Sequence, residues 1–153
     1  MSNEQEIDVA QALSTLLKRD PRFSEKTYDF VNEALSCAQR LNIGEEAPTE
    51  TLDGEIVEDS DGRHITGGQL CHIAVALAVQ SYGLMAKTVL ARLGIYSTSD
   101  LGDAVYNMID VGLMSKTPYD SREDFDAVFE LDEELEAAFK FEYQGKRRRN
   151  ERR

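Results

Sequence analysis

Thr66-Gly67-Gly68-Gln69-Leu70-Cys71-His72-Ile73-Ala74-Val75-Ala76-Leu77-Ala78-Val79-Gln80-Ser81-Tyr82-Gly83 carries both ends of a helix in its own letters. Thr66 and Gln69 have the spacing of a capping box, in which a hydroxyl accepts from the third amide and a longer side chain reaches back. Leu70, Ile73, Ala74, Leu77 and Ala78 share one face, and Cys71, Val75 and Val79 widen it. A helix apolar over so much of its circumference belongs at the centre of a core. Gly83 is the stop signal.

The same grammar continues downstream. Residues 84–93 form a second helical pattern, with Met85, Val89, Leu90 and Leu93 facing inward and Gly94 ending it. Ser97-Thr98-Ser99-Asp100 is dense in capping residues. A third helix follows over about 98–112, with Leu101, Val105, Met108 and Ile109 inward and Gly112 closing it. Leu113 to Lys116 is a candidate short strand, and Pro118 to Asp124 a polar turn. Phe125, Ala127, Phe129 and Leu131 then alternate with polar residues as in a half-buried strand. Asp132 is positioned to cap a last helix, with Leu135, Ala138, Phe139 and Tyr143 inward.

Three helices joined by glycine turns and followed by a hairpin have the order of a winged helix-turn-helix. The expected fold class is therefore mainly α with a small β-hairpin, a winged-helix-like unit preceded by an N-terminal helical pair. The pair comprises 5–18 and a helix of about 18 residues capped by Ser24. Asp20-Pro21 divides them, since a residue before proline avoids helical angles. The second helix has an inward stripe at Tyr28, Val31, Leu35, Ala38 and Leu41. The chain thus divides into a helical pair at 1–44, an acidic loop at 45–65, the winged-helix-like unit at 66–144 and a basic tail at 145–153. The loop holds eight acids and no base between 45 and 62, where a short strand at Glu55–Glu58 is expected.

Charge argues against the function this fold usually suggests. In the DNA-binding version the helix after the tight turn enters the major groove. Here that helix bears Asp100, Asp103 and Asp110 and no Lys or Arg. Residues 94–131 hold eight acids and two bases, net −6. Phosphate contacts need cations or amide donors, so this helix would set like charges against a duplex. The formal charge of the chain is −12, and the basic tail conceals how acidic the rest is. Lys146, Arg147, Arg148, Arg149, Arg152 and Arg153 face one acid there, Glu151. Without these residues 11 basic and 28 acidic side chains remain, a charge of −17.

Some of these words resemble a known family. Asp20-Pro21-Arg22-Phe23, Tyr28-Asp29-Phe30-Val31 and Arg63-His64-Ile65-Thr66-Gly67 carry the likeness. So do Gly83-Leu84-Met85-Ala86-Lys87-Thr88-Val89, Gly94-Ile95-Tyr96-Ser97-Thr98, Ser115-Lys116-Thr117 and Asp120-Ser121-Arg122-Glu123-Asp124-Phe125. Over about residues 12–132 the chain resembles a small family of uncharacterised bacterial proteins found mainly in planctomycetes and verrucomicrobia. The resemblance implies a bacterial cytosolic protein and brings no activity, ligand or catalytic residue with it.

Chemistry-bearing patterns are sparse. Cys37, His64, Cys71 and His72 lack the ligand spacings of structural zinc, and adjacent Cys71 and His72 diverge by about 100° on a helix. Both cysteines fall among apolar helical neighbours, as buried thiols of a reducing compartment do. Asp59-Ser60-Asp61-Gly62 fails as a calcium loop, because a sixth-position Gly62 puts Val57 first and Gly68 twelfth. No phosphate-binding G-x-x-x-x-G-K-[ST] is present. No cofactor or metal is expected, and catalysis is not. The N-terminal residues lack a signal-peptide pattern, and the longest apolar run, Ile73 to Val79, is too short to span a bilayer; a cytoplasmic location is expected.

The functional expectation is a non-enzymatic protein-interaction or regulatory module with an acidic surface. Its partner is another protein or a second copy, with no membrane. Tyr96, Met114, Tyr119 and Arg122, in or near turns, are the candidate interface. The alternative is a nucleic-acid-associated protein using Lys146, Arg147, Arg148, Arg149, Arg152 and Arg153, which would bind phosphate weakly and without sequence preference.

Overall fold

The architecture, taken from a computed structural model, is described for residues 8–41, 45–46, 63–118 and 120–140. Six helices and two short 3₁₀ turns surround one core. Helix α1 spans Val9–Arg19, capped by Asp8, whose carboxylate accepts from the Ala10 and Gln11 amides. Helix α2 spans Glu25–Arg40. Thr27 Oγ1 accepts the Ser24 N–H at 3.0 Å and donates to the Leu93 carbonyl at 2.7 Å. One fully buried hydroxyl therefore caps α2 and ties its start to a segment 66 residues away.

Helix α3 covers Gly67–Tyr82, and the Thr66–Gln69 capping box forms as the spacing predicts. Leu70, Cys71, Ile73, Ala74, Val75, Leu77, Ala78 and Val79 are all buried, which makes α3 the central helix. A 3₁₀ turn, Gly83–Met85, leads to α4, Ala86–Arg92. Together Gly67–Arg92 has the length and composition of a membrane-crossing helix. It is broken at Gly83, where φ is +55°, and its α3 part fills the protein's own core. Helix α5, Thr98–Asp110, starts at a capping box of its own, Ser97–Asp100, and packs between α2 and the later chain. Helix α6 occupies 131–140.

Buried residues run as one cluster from Leu16 and Val31 through α3 and α5 to Phe125 and Leu135. The N-terminal pair is thus part of the same core as the central helices. Val31, Ala34 and Ala38 of α2 have no exposed surface.

The winged-helix expectation is overturned. Apart from a two-residue antiparallel pairing, Glu45↔His64 and Glu46↔Arg63, no strand occurs among the described residues. That pairing closes the ends of the acidic loop and lies far in sequence from the expected hairpin. The expected strand at Glu55–Glu58 lies outside the described residues. Leu113 to Lys116 is irregular, and Arg122–Phe125 is a 3₁₀ turn.

The reason is local. Asp124 Oδ2 accepts the Ser121 N–H at 3.0 Å, so Ser121-Arg122-Glu123-Asp124 folds as a cap rather than leading into a strand. Short polar side chains compete with strand pairing in this way. The alternation also fails: Phe125 is buried, whereas Ala127 is exposed with φ +50°. The last helix begins one residue early, with Leu131 already inside it, so Asp132 is not its cap. Met85, expected inward, is 57% exposed, because the turn at Gly83 rotates the following chain.

Candidate interaction surface

The acids of α5 are not free. Asp100 Oδ2 accepts the Tyr96 and Ser97 amides at 2.9 and 3.1 Å. Asp103 sits between two guanidinium groups: Arg122 Nε donates to its Oδ1 at 2.7 Å, and Arg22 Nη1 to its Oδ2 at 3.3 Å. Asp110 pairs with Arg19 at 3.4 Å. Arg22 also grips Asp20, with Nε to Oδ1 at 3.0 Å and Nη2 to Oδ2 at 2.9 Å. Asn107 adds a bond to Asp20 at 2.9 Å. The Arg22 bonds, chiefly, hold the Asp20 carboxyl down at a pKa of about 2. The acidic helix that sequence sets against a duplex is a strut whose carboxylates fasten α1, the α1–α2 loop and the 122–125 turn to it.

Arg122 belongs to this network. It also donates to the Ser99 carbonyl at 2.7 Å and pairs with Asp126 at 2.9 Å. Tyr96 is 70% exposed just before α5, while Met114 packs against the core just after it. The 13-residue helix between them is about 20 Å long. Tyr96 and Met114 therefore do not converge on one anchor. Tyr119 and the basic tail residues lie outside the described residues, as does the His64 side chain. Cys71 is buried, and desolvation pushes its thiol up to about 12. Cys37 is only partly buried, with the Arg40 guanidinium 3.0 Å from its sulfur. His72 lies against Phe129, ring centroids 4.9 Å apart, and 3.8 Å from a Glu134 oxygen. Among the described residues no three His, Cys, Asp or Glu side chains converge to hold a metal.

The surface that sequence reasoning missed is a groove of about 490 Å³ between α2 and the α3–α4 corner. Leu77, Val89 and Leu93 make its apolar floor, with Phe30 beneath. Lys26, Asp29 and Glu33 form the α2 rim. Ser81 and Tyr82 form the opposite rim, and the turn that follows carries Leu84, 80% exposed, and Met85. Tyr82 itself is 41% exposed, so three large apolar residues within four positions of the chain face solvent, the first of them on the groove. A cluster of this kind marks an interaction site more often than a chance exposure does. The only sequence signal was Leu84-Met85 directly after a glycine, which a continuous helical pattern masks.

Asp29 and Glu33 differ from the α5 acids. They stand four residues apart on α2, both exposed, and make no hydrogen bond or ion pair among the described residues. Like charges at that spacing repel one another along a helix.

No family model, curated protein or solved structure matches the chain.

Proposed function

We propose that the protein is a non-enzymatic interaction module of the cytoplasm that docks a partner protein on the groove between α2 and the α3–α4 corner. The observation that carries this reading is the exposed Tyr82 on the rim of an apolar floor, with exposed Leu84 and Met85 on the 3₁₀ turn that follows it in sequence. Leaving such side chains in water forgoes burial worth about 1.5–3 kcal/mol each, which a partner would recover. The surrounding fold supports a fixed binding face. Both walls belong to the common core, and Thr27 bonds one wall to the other through Leu93.

A photoreactive benzoylphenylalanine at position 84, introduced into the full chain in its native cytosol, tests the proposal. It should give a discrete cross-linked species, lost on Met85→Asp and absent when the probe sits at exposed Glu133 on α6. Equal labelling from positions 84 and 133 would remove the groove from consideration. Light scattering on the purified chain decides whether a second copy is the partner. Phosphate binding by Lys146 to Arg153 is the alternative.

A further inference from the structure

The groove's two rims differ in chemistry, and the difference specifies an occupant. The α3–α4 side is mainly apolar: Tyr82 is exposed and Val89 half-buried. The α2 side is charged, with Lys26, Asp29 and Glu33 one or two turns apart on the same edge. Two carboxylates oppose one ammonium there, and neither carboxylate has a partner among the described residues. Several other acids are paired with cations. Asp103 has two arginines, Asp110 has Arg19, Asp126 has Arg122 and Asp132 has Lys87. Glu25, Glu130 and Glu133 are exposed and unpaired among the described residues as well, but Asp29 and Glu33 are the unpaired acids that line the groove.

The rim from Lys26 to Glu33 runs about two helical turns, roughly 10 Å. A groove of that length between helices suits an amphipathic helix, which anchors through side chains at i, i+3 or i+4, and i+7. We propose that the groove takes a partner's amphipathic helix whose apolar stripe meets Leu77, Val89 and Tyr82 and whose one flank carries Lys or Arg facing Asp29 and Glu33. The inference rests on the docking role proposed above and adds the partner's chemistry. Opposite charges across the rim fix which way the helix lies and exclude acidic competitors, since like charges set against each other are costly.

Two fluorescent helical peptides with the same apolar stripe, one with an arginine flank and one with a glutamate flank, test it on the full-length chain. The arginine peptide should bind at least about tenfold tighter at low salt, and raising salt to about 0.5 M should erase most of that ratio. Asp29→Lys with Glu33→Lys should reverse the preference. The milder pair Asp29→Asn with Glu33→Gln should remove it, which guards against misfolding of the reversed variant. Val89→Glu, in the floor, should weaken both peptides. If Val89→Glu weakens both but the two peptides bind alike, the charge argument is wrong and the groove stands. If neither peptide responds to Val89→Glu, or neither binds, the docking groove itself is wrong. Should the arginine peptide bind only after Lys146, Arg147, Arg148, Arg149, Arg152 and Arg153 are changed to Gln, the chain's own tail is the occupant and the partner helix is refuted.

Discussion

Phe125 lies directly on the backbone of Gly102. A Cβ built at Gly102 would sit 2.5 Å from the Phe125 Cβ and 2.7 Å from its Cγ, closer than real contacts allow. This approach docks the 122–125 turn on α5, with the Arg122–Asp103 pair beside it.

Gly102→Ala should therefore destabilise the protein by about 1–3 kcal/mol in urea titrations, despite alanine's better helix propensity. Gly68→Ala is the control. It sits in the first turn of α3 with open space around it, and should be neutral or stabilising by up to about 1 kcal/mol. Equal effects at the two sites would show that Phe125 does not press on α5.

The guanidinium of Arg122 satisfies Asp103, Asp126 and the Ser99 carbonyl at once, with its side chain 27% exposed. Arg122→Ala should cost about 1–2 kcal/mol. Arg122→Lys should recover less than half of that, because a single ammonium cannot reproduce a forked donor. Full recovery by lysine would mean that charge alone matters there.

Asp20 supplies an acid dependence. Its folded pKa, about 2, lies below the ordinary 3.8, through the Arg22 bonds first. The ionised carboxylate therefore stabilises the fold fully above about pH 4, and this contribution fades as pH falls through about 2. With solvent screening it is on the order of 1 kcal/mol. Asp20→Asn should flatten the loss of stability between pH 4 and 2, read by thermal melts. An unchanged slope would place the acid sensitivity elsewhere.

The two thiols should separate in reactivity. Cys71 is buried and its thiol is raised to about 12, whereas Cys37 reaches solvent. A thiolate-selective reagent at neutral pH should modify Cys37 alone in the folded chain, and both after denaturation. Rapid native labelling of Cys71 would mean that α3 opens far more readily than its burial implies.

Capping made much of the fold legible. Thr66–Gln69 and Ser97–Asp100 place the starts of α3 and α5, and Gly83 and Gly94, both at positive φ, mark ends of helical segments. These signals are local, so one chain suffices to read them. The 113–131 stretch failed because period-two alternation over Phe125 to Leu131 is short enough to arise by accident. What decides its shape is the Ser121–Asp124 cap and the contact with Gly102. The aspartates of α5 looked free because their cations come from afar. Arg22 is 81 residues from Asp103, and Arg19 is 91 from Asp110. The groove was invisible for the same reason, since one wall is α2 and the other begins near the end of α3.

The Thr27–Leu93 bond makes the walls of that groove interdependent. Removing the first forty residues would take away the α2 wall and also release the far one, because its anchor leaves with them. Evolution faces the same restriction: the groove can change its rim residues freely, but its width is inherited with the core.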